Sequence, residues 1–219
     1  MKTLKEALDW RYTTKVYDAG KKISAEDFAQ IEHILQFSPS STNLQPSHFI
    51  IADDDAGKAR IAKAAEGPYA YNAPKIKNAS HIIVFCSKVF ADDEHLEAVL
   101  EQEDKDGRFA EEANKTQMRN TRKMFLNIHR YNYKDEPHWH ARQTYLTFGA
   151  VLLGAAQLGL DATPIEGVDM AKVDEEFELH KKGYSALAVI ALGYRDEAED
   201  FNARLPKSRL PKEKLFTKA

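Results

Sequence analysis

Two cations and two threonine hydroxyls fall within five residues at Arg11-Tyr12-Thr13-Thr14-Lys15. Such a cluster can surround an anion such as a phosphate, although a solvated helix end has the same composition. Near the other terminus, Leu205-Pro206-Lys207-Ser208-Arg209-Leu210-Pro211 places two cations two residues apart between prolines. In an extended chain these two side chains point to one side and form a two-pronged anion clamp. Between the two lie three polar segments. Ser38-Pro39-Ser40-Ser41-Thr42-Asn43-Leu44-Gln45-Pro46 is a rigid loop dense in hydroxyls and amides, suited to a ligand's polar edge. Tyr69-Ala70-Tyr71-Asn72-Ala73-Pro74-Lys75 sets aromatic rings beside an amide and a cation, which suits a flat, polar-edged molecule. Pro164-Ile165-Glu166-Gly167 brackets an acid with turn formers, and backbone N–H groups in such a shaped loop can face a ligand. Together the segments point to one planar, polar-edged ligand bearing a phosphate. No glycine-rich phosphate loop is present, so side chains must hold that phosphate. No nucleophile–base pair stands out, as expected where a cofactor carries the chemistry.

The elements that position these segments are readable from periodicity. Leu4, Ala7, Leu8 and Arg11 lie at helical spacing, which predicts a short helix ending near Arg11. Ser24 is a good N-cap for a second helix carrying Phe28, Ile31, Ile34 and Leu35 and stopping before Pro39. Strands are predicted at 48–52, 81–86 and 184–193, and helices at 56–65, 92–105 and 110–130. Pro137 opens the longest apolar helix, about 138–158. Its lower half is apolar all round and rich in Gly and Ala, so burial in the core or in a subunit interface is expected. The last 25 residues read as an extended arm that gains stability only by lying on another surface.

Composition bounds the rest. The 219 residues carry no internal repeat or compositional break, so one domain spanning 1–219 is expected, of α+β class with more helix than strand. Net charge is −3, a poor match for a nucleic-acid binder. The single cysteine, Cys86, excludes an internal disulfide framework and a multi-thiolate zinc site. His138 and His140 flank Trp139 without an acid–thiol set beside them, so no metal is expected. The opening MKTLKEALDWRYTTK lacks the apolar core of a signal peptide, and the tract from Tyr145 to Leu160 falls short of the ~20 residues of a membrane span. No membrane association and a cytoplasmic location are expected.

The ordered set R-Y-T-T-K, S-P-S-S-T-N-L-Q-P, Y-N-A-P-K, D-G-R-F-A, P-I-E-G and L-P-K-S-R-L-P resembles the oxygen-insensitive NAD(P)H nitroreductases. These are flavoproteins of the FMN-dependent nitroreductase superfamily, whose enteric members are also described as dihydropteridine reductases. The resemblance runs along nearly the whole chain. It implies a central, mainly antiparallel sheet surrounded by helices, and a homodimer with FMN sites at the subunit interface. It implies NADH or NADPH as electron donor and ping-pong, two-electron reduction of small acceptors such as nitroaromatics and quinones.

Residue by residue, the resemblance implies that Arg11, Lys207 and Arg209 hold the FMN phosphate, with Thr13 and Ser208 in the phosphate and ribityl regions. Lys15, Asn72 and Lys75 would face the pyrimidine edge. Pro39, Ser40 and Ser41 would come from the second subunit. Pro164, Glu166 and Gly167 would cover the opposite part of the ring. Tyr12, Thr14, Asn43 and Ile165 belong to the same cofactor-binding segments. Thr42, Tyr69, Tyr71, Arg108, Met124 and Phe125 would line the pocket for nicotinamide or acceptor. Three positions depart from the family pattern: Tyr12 stands in place of His, Ser47 of Trp and Met124 of Phe. A flavin- or nucleotide-binding module without turnover, or another reductive activity on the same flavin fold, is the competing reading.

Overall fold

A computed structural model describes residues 1–218. Its centre is a four-stranded antiparallel sheet of order β1-β2-β4-β3, built from β1 (Ser47–Ala52), β2 (His81–Lys88), β3 (Asp161–Ile165) and β4 (Tyr184–Gly193). β2 and β4 are the inner pair, and their apolar runs are buried along almost their whole length. That burial on both faces is what continuous hydrophobic strands require. One face packs Ile82, Val84, Val189 and Ala191 against Ile61, Ile76 and Val173. The other packs Ile83, Phe85, Ile190 and Leu192 against Ile31, Phe148 and Val151.

Helices α1 (Leu4–Trp10), α2 (Ala25–Phe37), α3 (Asp55–Ala62) and α4 (Ala73–Asn78) precede the second strand. Thr3 caps α1 with a reciprocal box to Glu6, and Ser24 accepts from the Asp27 N–H to start α2. Helices α5 (Asp93–Lys105) and α6 (Glu112–Asn127) form an excursion after β2. A π-helical turn, Ile128–Tyr133, carries α6 toward α7 (Glu136–Leu158). Helix α8 (Met170–Glu176) lies between β3 and β4, and a short α9 (Lys212–Leu215) closes the chain.

The structure corrects several expectations. The segment Pro164-Ile165-Glu166-Gly167 is not wholly a loop, because Pro164 and Ile165 end strand β3. β3 is an edge strand, where a proline's missing N–H is tolerated. Helices α4 and α8 were not expected; α4 starts with Pro74 in its first turn, a position that suits proline. The lower half of α7 is not buried all round, since Leu146 is 54% exposed and Tyr145 38% exposed in the single chain. The arm holds a 3-10 turn at Phe201–Arg204 and the short α9, and is extended only between and beyond them. No helix among the described residues is long and apolar enough to cross a membrane.

Candidate functional site

The two cationic segments from opposite ends of the chain meet. Arg11, Tyr12, Thr13, Asn202, Leu205, Pro206, Lys207, Ser208 and Arg209 line one cavity of about 190 Å³. Arg11 ends helix α1 by donating its backbone N–H to the Ala7 carbonyl over 3.0 Å. Lys207 reaches the carbonyls of Leu8 and Asp9 at the same helix end, where the helix dipole favours a cation. Burial and the nearby Arg209 hold the Arg11 guanidinium below its usual range. Burial, then Arg11 and Arg209, lower Lys207 likewise. The Arg11 Nε is buried without a protein partner. Three mutually repelling cations and an orphaned donor are the electrostatic shape of an anion site.

Behind this cavity sits a polar girder. Arg195 is held between the rings of Trp10 and Tyr12, at 4.4 and 4.5 Å from their centroids. Its Nη2 lies 2.6 Å from the Asp161 carboxylate. Thr14 turns into this girder, fully buried, with its hydroxyl 3.3 Å from Asp161. Its side chain is therefore core, not cavity wall. Ile165 is likewise a core residue, 2% exposed within the sheet's first apolar cluster.

A second polar group forms where α4 meets the end of β3. Lys75 donates to the Tyr71 carbonyl at 2.6 Å and to the Asn72 Oδ1 at 3.0 Å. Asn72 in turn donates to the Gly167 carbonyl at 2.7 Å. Burial, then Lys15, lowers the Lys75 ammonium. Gly167 is required here by space: a Cβ would stand 2.7 Å from the Tyr71 hydroxyl and 2.8 Å from the Asn72 amide. Glu166 is exposed and accepts from the Tyr145 hydroxyl of α7 at 2.6 Å. Tyr69 and Tyr71 lie in the 3-10 turn Gly67–Asn72, and the Tyr71 side chain stays 64% exposed.

The loop from Ser38 to Pro46 lies elsewhere. Three of its residues, Thr42, Asn43 and Gln45, take left-handed φ near +50° without being glycine, each a strain of about 1–3 kcal/mol that surrounding contacts must fix. Those contacts are visible. The Ser41 N–H donates to Gln143 of α7 at 2.8 Å, and the Asn43 amide to Glu103 at 2.7 Å. The fully buried Arg122 donates to the Thr42 carbonyl at 3.0 Å and pairs with Glu103 at 2.9 Å. Asn43 thus spends its amide on Glu103, and sequence reasoning that grouped it with the cofactor segments missed this role. Pro39 and Ser40 border a cleft with Gln143 and Thr147. Met124 and Phe125 are 52% and 39% exposed on α6. Arg108 lines a separate cleft of about 490 Å³ with Phe109, Asn114 and Thr121.

Two of these groups contact one helix, α7, on different sides. Gln143 and Thr147 lie about 40° apart around α7, and Tyr145 is about 160° from either. The serine-rich loop is held on the first side and Glu166 on the other. Residues that buttress the candidate segments and that sequence reasoning missed are Tyr145, Asp200 and Asn202, and the pair Glu103–Arg122. Of these only Tyr145 carried a signal, a phenol inside an apolar run. Cys86 is buried in β2 with its thiol pushed up to about 12 by burial. His140 is fully buried with Nδ1 3.0 Å from the Lys88 carbonyl.

Similarity to known proteins identifies the family. An oxygen-insensitive NAD(P)H nitroreductase of Salmonella typhimurium is 51% identical over 94% of this chain and 95% of its own length. A major NAD(P)H-flavin oxidoreductase of Aliivibrio fischeri is 36% identical over 96% of this chain and 95% of its own length. A protein from Exiguobacterium sibiricum, solved in complex with FMN, superposes over 100% of this chain and 98% of its own, with a TM-score of 0.83 at 23% identity. The model of the nitroreductase family matches residues 8–194, most of the chain and all four strands, and the chain belongs to that family.

Proposed function

We propose that the protein is an FMN-dependent NAD(P)H oxidoreductase that reduces nitroaromatics, quinones or related acceptors by two electrons. The observation that carries this is the cavity of Arg11, Lys207 and Arg209, with its orphaned Arg11 Nε, in a chain 51% identical to an NAD(P)H nitroreductase. The donor set fits FMN. Three cations suit a phosphate dianion. Thr13 and Ser208, bordering the same cavity, suit the polyol. Lys15, Asn72 and Lys75 suit the carbonyl-rich edge of the ring. Pro164, Glu166 and Gly167 supply a wall, with Glu166 oriented by Tyr145.

Bound FMN would supply the redox chemistry, a hydride-level transfer from NAD(P)H and a two-electron transfer to the acceptor, with the remaining proton drawn from solvent. The chain's residues set the conditions for it. Lys75, whose ammonium is lowered by burial and then by the charge of Lys15, would supply positive potential toward a reduced ring, in a partly dry site where such potential acts strongly. The Asn72 bridge from Lys75 to Gly167 keeps that cation in place. No side chain is required as a dedicated proton donor.

We further propose that the working form is a homodimer. The loop at Pro39–Thr42 and the Glu166 wall lie on opposite sides of α7 in one chain, so one ring contacting both draws them from two chains. Leu146, exposed on the apolar half of α7, supports the same reading. Thr42, Tyr69, Tyr71, Arg108, Met124 and Phe125 then border the acceptor side. Dependence on NAD(P)H fits a cytoplasmic enzyme.

The test is a visible absorption spectrum of the purified protein before and after NADPH without oxygen. A flavin band that bleaches and returns on adding a quinone or nitroaromatic supports the reductase. A band that persists supports a binding module without turnover. No band after incubation with FMN overturns the flavoprotein reading.

A further inference from the structure

Two chain segments separated by nearly the whole sequence build the anion cavity, and one buried carboxylate joins them. Asp200 is 0% exposed. Its Oδ2 accepts from the Tyr12 hydroxyl at 2.9 Å and from the Lys15 backbone N–H at 3.0 Å. Its Oδ1 accepts from the Asn202 N–H at 3.0 Å, which starts the 3-10 turn Phe201–Arg204. Asn202 closes the loop by donating its side-chain amide to the Thr13 carbonyl at 2.7 Å. The segment carrying Arg11 and Thr13 is therefore fixed to the segment leading to Lys207 and Arg209 through this carboxylate and its neighbour. Beyond the Lys207 bonds to the Leu8 and Asp9 carbonyls, little else holds the second segment, since every residue from Ala203 to Lys218 is exposed.

We propose that Asp200 is a positioning residue for phosphate recognition: it sets the spacing between Arg11 and the Lys207–Arg209 pair without touching the ligand. The inference rests on the reading of that cavity as the FMN phosphate site. Asp200 is itself anionic, so its direct effect on a phosphate is repulsive; its contribution must come from geometry. Tyr12, which departs from the family pattern, is one of its three donors, so this chain makes the link through a phenol.

The test compares FMN with riboflavin, which has the same ring and polyol but no phosphate. The full-length chain, freed of flavin, is titrated with each while flavin fluorescence is followed, for wild type, Asp200→Asn and Tyr12→Phe. Asp200→Asn is expected to weaken FMN about tenfold, the loss of charge-assisted hydrogen bonds, and to change riboflavin by less than about twofold. Tyr12→Phe, which removes a single hydroxyl and leaves the buried charge satisfied by two backbone donors, is expected to move FMN the same way by about threefold. Parallel weakening of both flavins means a merely structural residue and overturns the proposal. Tighter FMN binding means that charge outweighs geometry and also overturns it. Should Asp200→Asn not fold, Tyr12→Phe decides alone. A wild-type chain that binds both flavins equally overturns the phosphate reading itself, a result separate from any effect of Asp200.

Discussion

The Tyr145 hydroxyl donates to the Glu166 carboxylate over 2.6 Å, joining the middle of α7 to the end of β3. Burial and this bond push the tyrosine up to about 12, so it remains a donor across the working pH range. Glu166 is otherwise exposed. Tyr145→Phe is expected to leave stability within about 1 kcal/mol, the usual net value of one hydrogen bond. KM for the acceptor is expected to shift several-fold as the carboxylate swings free. Steady-state kinetics beside a urea melt separates the two effects; unchanged kinetics would remove Glu166 orientation from the account.

Lys207 and Arg209 are the part of the anion cavity most easily removed without harm to the core, because both lie on the exposed arm. Replacing both with Ala is expected to weaken FMN by about two orders of magnitude or more, at roughly 1.5–3 kcal/mol for each hydrogen bond from a charged group. The flavin-to-protein absorbance ratio after purification reads this directly. A double variant that emerges with full flavin would show that the phosphate lies elsewhere.

Glu103 and Arg122 form a buried ion pair under the strained loop, with the Arg122 side chain 0% exposed. Arg122→Ala strands the Glu103 charge and frees the Thr42 carbonyl. The expected loss is about 3–5 kcal/mol, as for other buried pairs broken on one side. Replacing both partners by apolar residues of similar volume is expected to recover most of it. Denaturant unfolding of the single and double variants gives the comparison, and a single variant as stable as wild type would contradict the role assigned to the pair.

Acid is expected to weaken the fold earlier than carboxylate protonation alone requires. Burial lowers His48, His81, His95 and His140 below the ordinary histidine value. The unfolded chain then binds protons that the folded chain resists. Their contribution is full above the unfolded value near 6.5 and is lost as pH falls through it. Melting temperatures measured from about pH 8 down to about pH 5 should fall steadily; a flat series would mean that these rings accept protons without cost.

Much of this was legible in the sequence because it depends on local spacing. The cations of 11–15 and 207–209 declared themselves by residue type. The run from Tyr184 to Gly193 is a strand over the same ten residues that its apolar continuity predicts. β3 was hidden because Asp161 and Pro164 disguise an edge strand of five residues. The rest was illegible for a different reason. Asp200 acts on a tyrosine 188 positions away, and Arg122 on a carbonyl 80 positions away. No periodicity announces such pairs, since only the fold brings them together.

The arm has a consequence for the protein's turnover. From Ala203 onward it has no buried residue among those described, yet it supplies two of the three cations that an anion would bridge. On the proposed reading, a bound phosphate would fasten the tail. The peptide bonds after Lys207 and Arg209 would then be shielded with phosphate bound and open to trypsin-like cleavage without it. A single cut after Lys207 would remove Arg209 and leave the cavity less able to rebind the cofactor. Scarcity of FMN would then shorten the life of the protein as well as its activity.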